Sequence, residues 1–210
     1  MRVAVAGGTG LVGRLVVAEL ERRGHAAMVL ARSAGIDVRR SDQLAGALDG
    51  AAVVVDCLNV ATTRGAAATE FFTSTTASLL DAERAAGVGR HLLLSIVGID
   101  RNPLPYYRAK LAQEHAARGG AGALTVLRAT QFHEFAGQLL AQLRRGPVVP
   151  VPRMLSAPVA AAEVALALAD LTEQPPDRGT VELGGPERLA MPDLVRRLAR
   201  ARGIRAAIVP

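Results

Sequence analysis

Along most of the chain, short apolar runs alternate with longer stretches whose apolar residues recur at helical spacing. Residues 3–6 form one such run, and residues 10–23 then carry Leu11, Leu15, Ala18 and Leu20 three or four apart before Gly24. A short run ending at glycine predicts a buried strand; the second pattern predicts a helix with one apolar face and a glycine C-cap. The pair repeats. Residues 26–31 predict a buried second strand, 36–38 a short third, and 41–48 a helix with Ser41 as its N-cap. Residues 52–58, with Val53-Val54-Val55, predict a buried strand, 66–86 a long helix closed by Gly87, and 91–97 a fifth strand. Pro103 and Pro105 make a stiff loop, 106–118 a helix, Gly119-Gly120 a break, and 124–127 a sixth strand. Strands separated by helices predict an α/β fold with a parallel, doubly wound sheet.

The last third changes character. A helix over 160–171, a short strand over 180–183, a helix over 192–202 and an apolar tail over 206–209 follow a proline-rich piece at 147–158. Residues 147–210 are therefore expected to form a small C-terminal substrate lobe on a single domain spanning 1–210. The tail stops at Pro210 inside what reads as a strand, so further residues are expected beyond it.

A length of 210 residues and an apolar fraction of 50% suit one domain with a sizeable core. The net charge of +6 raises the question of a nucleic-acid partner. The arginines, however, are scattered and often sit beside acids, as in Glu19-Leu20-Glu21-Arg22-Arg23, which is the pattern of a solvated surface. No nucleic-acid partner is expected. Every apolar run is interrupted before the roughly 18 to 20 residues a bilayer span needs, so no membrane span is expected. The single cysteine, Cys57, and a start without a charged, apolar leader point to a cytoplasmic protein. His25, His91 and His115 have no metal-ligand spacing, so no metal is expected. A homodimer stays open.

Candidate chemistry begins at Gly7-Gly8-Thr9-Gly10-Leu11-Val12-Gly13, which leaves the first strand and opens the first helix. Glycines there let the backbone turn tightly and approach a pyrophosphate, whose charge is stabilised by free N–H groups and the positive helix end. Gly7, Gly10 and Gly13 are the expected contacts, with Thr9, Leu11 and Val12 between them. This context makes the fold a Rossmann-type one and the ligand a dinucleotide. After the second strand an acid would accept from a ribose 2′-hydroxyl, but the chain has Arg32-Ser33. A guanidinium there, with Arg14 after the loop, attracts the extra phosphate of NADP. NADP(H) is the expected cofactor; NAD(H) is the alternative, with Arg32 merely exposed and Asp37 or Val38 beside the adenine.

Tyr106 and Lys110 stand four apart at a helix start and so share one face. An ammonium near a phenol favours phenolate, making a tyrosine usable as acid or base. Lys110 is the only lysine among 25 basic residues, which suggests a place where a compact ammonium is needed. Ser95, ending the fifth strand, is expected to orient a substrate carbonyl. The six aromatics, Phe71, Phe72, Tyr106, Tyr107, Phe132 and Phe135, form three clusters expected at the carboxyl edge of the sheet. They predict an apolar substrate cleft, with Tyr107, Gln131, Phe132 and His133 as substrate contacts and Glu134 as a further polar one.

Together, the glycine loop, Leu58-Asn59, Ser95-Ile96-Val97-Gly98, Tyr106 to Lys110 and Leu127-Arg128-Ala129-Thr130-Gln131-Phe132 resemble the short-chain dehydrogenase/reductase superfamily, more narrowly its atypical NmrA-like branch. The resemblance covers nearly the whole chain. It implies that Asn59 lies along the cofactor, that Ser95, Tyr106 and Lys110 are the catalytic set, and that the segment after Arg128 borders nicotinamide and substrate. The chain departs from that pattern in carrying Ala129 where members often have proline. The resemblance implies an NADP(H)-dependent oxidoreductase acting on a small carbonyl, quinone-like or apolar substrate. Because the branch also contains regulators that bind the cofactor without turnover, a redox sensor is the alternative.

Overall fold

The computed structural model describes residues 1–62, 64–120, 122–175 and 179–210. Six strands form one parallel sheet: β1 (Arg2–Ala6), β2 (Ala26–Leu30), β3 (Val53–Asp56), β4 (Arg90–Ile96), β5 (Ala123–Ala129) and β8 (Thr180–Leu183). Their spatial order is β2-β1-β3-β4-β5-β8. The chain moves outward from β1 to β2, then returns to place β3 on the other side of β1. That reversal opens a crevice at the carboxyl ends of β1 and β3, where ligands bind in such sheets.

Both faces are covered, as a parallel sheet requires. On one face, Val3, Val5, Val53 and Val55 pack with α1 (Leu11–Arg22) and α6 (Ala161–Glu173). On the other, Ala4, Ala6 and Val54 meet α2 (Ser41–Ala47) and α3 (Gly65–Ala86), while Leu93 and Val126 meet α4 (Pro105–Gly120). The alternation of neighbouring strand residues between the two faces is the period-2 geometry of a strand. Arg90, at the start of β4, donates to the carbonyls of Leu171, Thr172 and Gln174, and so caps the C-terminus of α6.

Several expectations are corrected. Residues 36–38 are not a strand: the chain makes a 3-10 turn over Arg32–Ala34, passes through left-handed Gly35, and Ile36 donates back to Ala31. Val38 is buried against the α2–α3 layer instead. With no third strand beside it, β2 is an edge strand and only partly buried. Alternating apolar residues serve a strand and a packed loop equally well. The helix expected to be capped by Ser41 begins at Ser41, with Arg40 in the cap position. Gly119-Gly120 does not break α4, which runs through Gly120.

The C-terminal third divides between two bodies. Within residues 147–210, α6 and β8 join the main layers. The rest packs around a separate apolar cluster with α5 (His133–Gln142), a helix not anticipated from the sequence. The proline-rich piece supplies β6 (Val148–Pro150), paired in parallel with β10 (Ala207–Val209), and β7 (Leu155–Ser156), paired antiparallel with β9 (Leu189–Ala190). The helix α7 (Met191–Ala201) completes the lobe. Among the described residues, no helix is long and apolar enough to cross a membrane.

The seat of α1 depends on one glycine. A Cβ on Gly13 would lie 2.2 Å from the Gly7 carbonyl oxygen and 2.8 Å from the Gly8 Cα. Both are backbone atoms that cannot rotate aside. Gly13→Ala is expected to lose about 2 kcal/mol or more through overpacking, despite alanine's helix preference of ~1 kcal/mol. A urea midpoint equal to that of the parent would show that α1 accepts a methyl there.

Candidate active site

A cleft of about 1110 Å³ runs along the carboxyl edge of the sheet. At its centre Gly7 adopts φ +74°, and a Cβ there would meet the Cys57 carbonyl oxygen at 2.9 Å, so the loops after β1 and β3 touch. Gly10 donates to the Gly7 carbonyl at 2.9 Å and stands at the N-cap of α1 with no side chain capping the helix. The first N–H groups of a helix have no partner within it, and here they open at a cleft lined by Gly10, Leu11 and Val12. Thr9 accepts a bond from the Ser33 hydroxyl at 3.1 Å, tying this loop to the end of β2. Gly13 and Arg14 stand outside the cleft lining; Gly13 serves the packing just described, and the Arg14 side chain is exposed.

Two guanidinium groups, Arg32 and Arg39, line the β2 end of the cleft. Arg39 donates to both carboxylate oxygens of Asp37, at 3.1 and 2.7 Å. These bonds hold the Asp37 carboxyl down at about 2, with the charge of Arg32 adding to the effect. Asp37 thus reaches the cleft already paired. Arg39 carries the same chemistry as Arg32, two residues beyond the aspartate, and was not singled out from the sequence.

On α4, Tyr106 and Lys110 both line the cleft, but they are not coupled as their spacing suggests. The Tyr106 hydroxyl donates to Asn59 Oδ1 at 2.6 Å, and the same oxygen accepts from the Val60 N–H at 2.7 Å. Burial pushes the Tyr106 phenol up to about 12, with Tyr107 adding to it. Lys110 points down to the sheet, donating to the Leu94 carbonyl at 2.8 Å and to Gln113 Oε1 at 2.5 Å. Its ammonium sits 4.8 Å from the Phe72 ring centroid. Burial lowers Lys110 to about 8, against the opposing charge of Asp56. The expectation that Lys110 depresses the Tyr106 pKa is therefore corrected: burial raises the phenol, and the ammonium is drawn toward a carbonyl and an amide.

Ser95 also lines the cleft, yet its hydroxyl donates to Glu114 Oε1 at 2.6 Å. In that arrangement the cleft meets its lone pairs and not its proton. Glu114 is fully buried and ion-paired with Arg118 and Arg128, both at 2.8 Å. Arg128 forks further to Asp100. Burial works against the Glu114 carboxylate, but the bonds from Arg128, Ser95 and Arg118 outweigh it and hold its pKa below the usual carboxylate value. The long-range partners of Ser95 carry no sequence signal.

Tyr107 accepts from Gln131 Nε2 at 2.8 Å, which leaves its own O–H to donate. Both residues line the main cleft and also a smaller cavity of about 390 Å³ that reaches Met154, Leu155 and Arg188 of the lobe. Phe132 lines the cleft; His133 and Glu134 do not. His133 is exposed, with its N–H bonded to the Val159 carbonyl. The Glu134 carboxylate is 3.3 Å from the Ala161 N–H, where it satisfies the N-terminus of α6. Instead, α5 contributes Phe135, Gln138 and Gln142 to the wall. Of the six aromatics, five line the cleft, and Phe72 is buried in the core beneath them.

The fold is shared with solved structures over nearly the whole chain. The NADP(H) complex of Citrobacter sp. triphenylmethane reductase matches all of it at 21% identity and TM-score 0.77, over 79% of that chain. The Thermus thermophilus UDP-glucose 4-epimerase complex with NAD also matches all of it, at 20% identity and TM-score 0.77, over 86% of that chain. The Escherichia coli NADPH-dependent quinone oxidoreductase, complexed with NADPH, matches 98% at 19% identity and TM-score 0.77, over 77% of that chain. These likenesses establish the Rossmann-type α/β class. No family model matches the chain, and no curated protein matches it by sequence.

Removing the Glu114 carboxylate would leave Arg128, only 11% exposed at its side chain, with a buried guanidinium short of its main partner. Glu114→Gln is expected to cost about 3 kcal/mol in urea unfolding. Because Glu114 is held below its ordinary value of 4.5, its contribution is present above that pH and lost as pH falls through the folded value. The difference between parent and variant should therefore shrink in acid, and an unchanged difference would overturn the assignment.

Proposed function

We propose that the chain is an NADP(H)-dependent oxidoreductase of the atypical short-chain dehydrogenase type, in the NmrA-like branch, acting on a small carbonyl, quinone-like or other apolar substrate in the cytoplasm. One observation carries this reading: the uncapped glycine cradle, Tyr106 and Lys110 open onto the same cleft. The donor set fits a dinucleotide. Gly7 brings the backbone to the crevice, the start of α1 offers N–H groups for a pyrophosphate, and Asn59 and Lys110 lie along the path between. Arg32 and Arg39 at the β2 end favour a cofactor with an extra phosphate. The similar structures with NADP(H) and NADPH support that preference, while the complex with NAD keeps NAD(H) as the second choice.

When bound, the cofactor supplies hydride chemistry. The residues of this chain manage the proton and the position of the substrate. A phenol held near 12 stays protonated at neutral pH and can pass its proton to the substrate oxygen as negative charge develops there. Asn59 Oδ1 loses little when the phenol turns away, since the Val60 N–H still bonds it. Lys110, whose ammonium is turned to Leu94 and Gln113, keeps one donor for the ribose hydroxyls of the cofactor. Tyr107, braced by Gln131, directs its hydroxyl to the substrate, whose apolar body lies against Phe132 and Phe135. Ser95 contributes an acceptor.

Two variants test the reading. Tyr106→Phe is expected to lower NADPH-dependent carbonyl or quinone turnover by at least a hundredfold while leaving the thermal shift by NADP intact. Undiminished turnover would remove Tyr106 from the chemistry, and nucleotide binding without turnover by the parent would favour the sensor. Arg32→Ala is expected to weaken NADP about tenfold and NAD little, by calorimetry, as the loss of one charge-assisted bond implies. An equal effect on both nucleotides would overturn the cofactor assignment.

A further inference from the structure

Behind the cleft, a row of buried polar groups runs between the sheet and helices α3 and α4. Asp56, the last residue of β3, is fully buried. Its Oδ1 accepts the Leu58 N–H at 2.9 Å, which sets the course of the loop carrying Asn59, the partner of the Tyr106 hydroxyl. Its Oδ2 accepts from Gln113 Nε2 at 2.9 Å, and Gln113 Oε1 in turn accepts from Lys110. We propose that Asp56 is the positioning residue for both members of the candidate catalytic pair, holding the Asn59 loop with one carboxylate oxygen and, through Gln113, the Lys110 ammonium with the other. This inference rests on the reading of Tyr106 and Lys110 as the reacting groups.

The charges enforce the arrangement. Gln113 is fully buried, with one donor end and one acceptor end, so a carboxylate on one side and an ammonium on the other fix which way its amide faces. Two of the three ammonium donors of Lys110 are then used by Gln113 and Leu94, which orients the third. A buried carboxylate needs compensating positive charge. Around Asp56 that charge comes from Lys110 on α4 and from His91 on β4, whose Nε2 lies 4.0 Å from Oδ2. His91 is itself paired through Nδ1 with Glu83 of α3 at 2.7 Å. Burial lowers the His91 pKa, but Glu83 and Asp56 outweigh it, so the imidazole stays charged more readily than usual. Glu114 is the other charged group that acts on Lys110; Cys57 lies close by, but burial pushes its thiol up and keeps it neutral where Lys110 titrates. An apolar filling of the same space would serve stability equally well. Only the polar row transmits one carboxylate to both ends of the site.

Because Lys110 is the only lysine, protein carrying [13Cε]lysine reports that one side chain directly. The parent signal is expected to titrate near 8. Asp56→Asn keeps an oxygen for Leu58 but loses the charge, and should move the titration down by about one unit, with the alkaline limb of turnover moving down with it. Asp56→Ala removes both bonds and should also shift the Tyr106 signal in [13Cζ]tyrosine protein. Should the Asp56 variants fail to fold, Gln113→Leu must displace the lysine titration without moving the Tyr106 signal. A folded Asp56→Asn or Gln113→Leu protein whose Lys110 titration matches the parent overturns the proposal. The spectra require no turnover, so a parent without reductase activity would sink the enzyme reading and leave this result standing on its own.

Discussion

Four elements meet at the backbone of Gly7, and the candidate site is built outward from that contact. Its N–H bonds the last carbonyl of β2, its carbonyl accepts from Gly10 at the start of α1, and its Cα faces the Cys57 carbonyl after β3. The absent side chain of Gly13 lets α1 settle on the same carbonyl. A side chain at either glycine would separate the first helix from the crevice between β1 and β3. The helix N-terminus therefore points into the cleft because backbone packs on backbone, and anion-binding capacity follows from the packing.

Burial governs the chemistry of the two residues on α4. Facing the interior of an apolar layer raises a phenol and lowers an ammonium, and both shifts resist ionisation. For Lys110 the carbonyl of Leu94 and the amide oxygen of Gln113 counter this by accepting from the ammonium, whereas Asn59 accepts the Tyr106 proton and so favours the neutral phenol. The buried charges of the site are held in two sets, one of which reaches solvent through Arg118 and Asp100. One links Glu114 with Arg118, Arg128 and Asp100, and the other links Asp56, Lys110, His91 and Glu83. Ser95 belongs to the first set and Lys110 to the second, so two of the three expected catalytic groups are held by different hydrogen-bond networks.

Much was legible in the sequence because local rules govern it. Alternating apolar runs and helical periodicity defined the layers, and glycine at a strand-to-helix turn marked the cradle. The spacing of Tyr106 and Lys110 placed both on one helix face at the cleft. The signals that failed were those compatible with two outcomes. Residues 36–38 alternate as a strand would but bury Val38 from a loop, and α5 went unassigned although its apolar residues recur at helical spacing. His133 and Glu134 stand beside the cleft residues in sequence, yet the turn into α5 leaves one exposed and sends the other to α6.

What the sequence by itself determined is the order of elements, the glycine turn and the face on which each candidate side chain begins, since these depend on neighbours a few residues away. Which atoms Ser95, Tyr106 and Lys110 bond across the fold was decided by the tertiary structure. Whether Ser95 keeps its proton for a substrate and whether Lys110 meets the phenol or the sheet are questions of three-dimensional neighbours. Glu114 lies 19 residues from Ser95 and Leu94 lies 16 from Lys110, beyond the reach of local rules, and the low dielectric of the interior makes each such pairing decisive for the charge a group can hold.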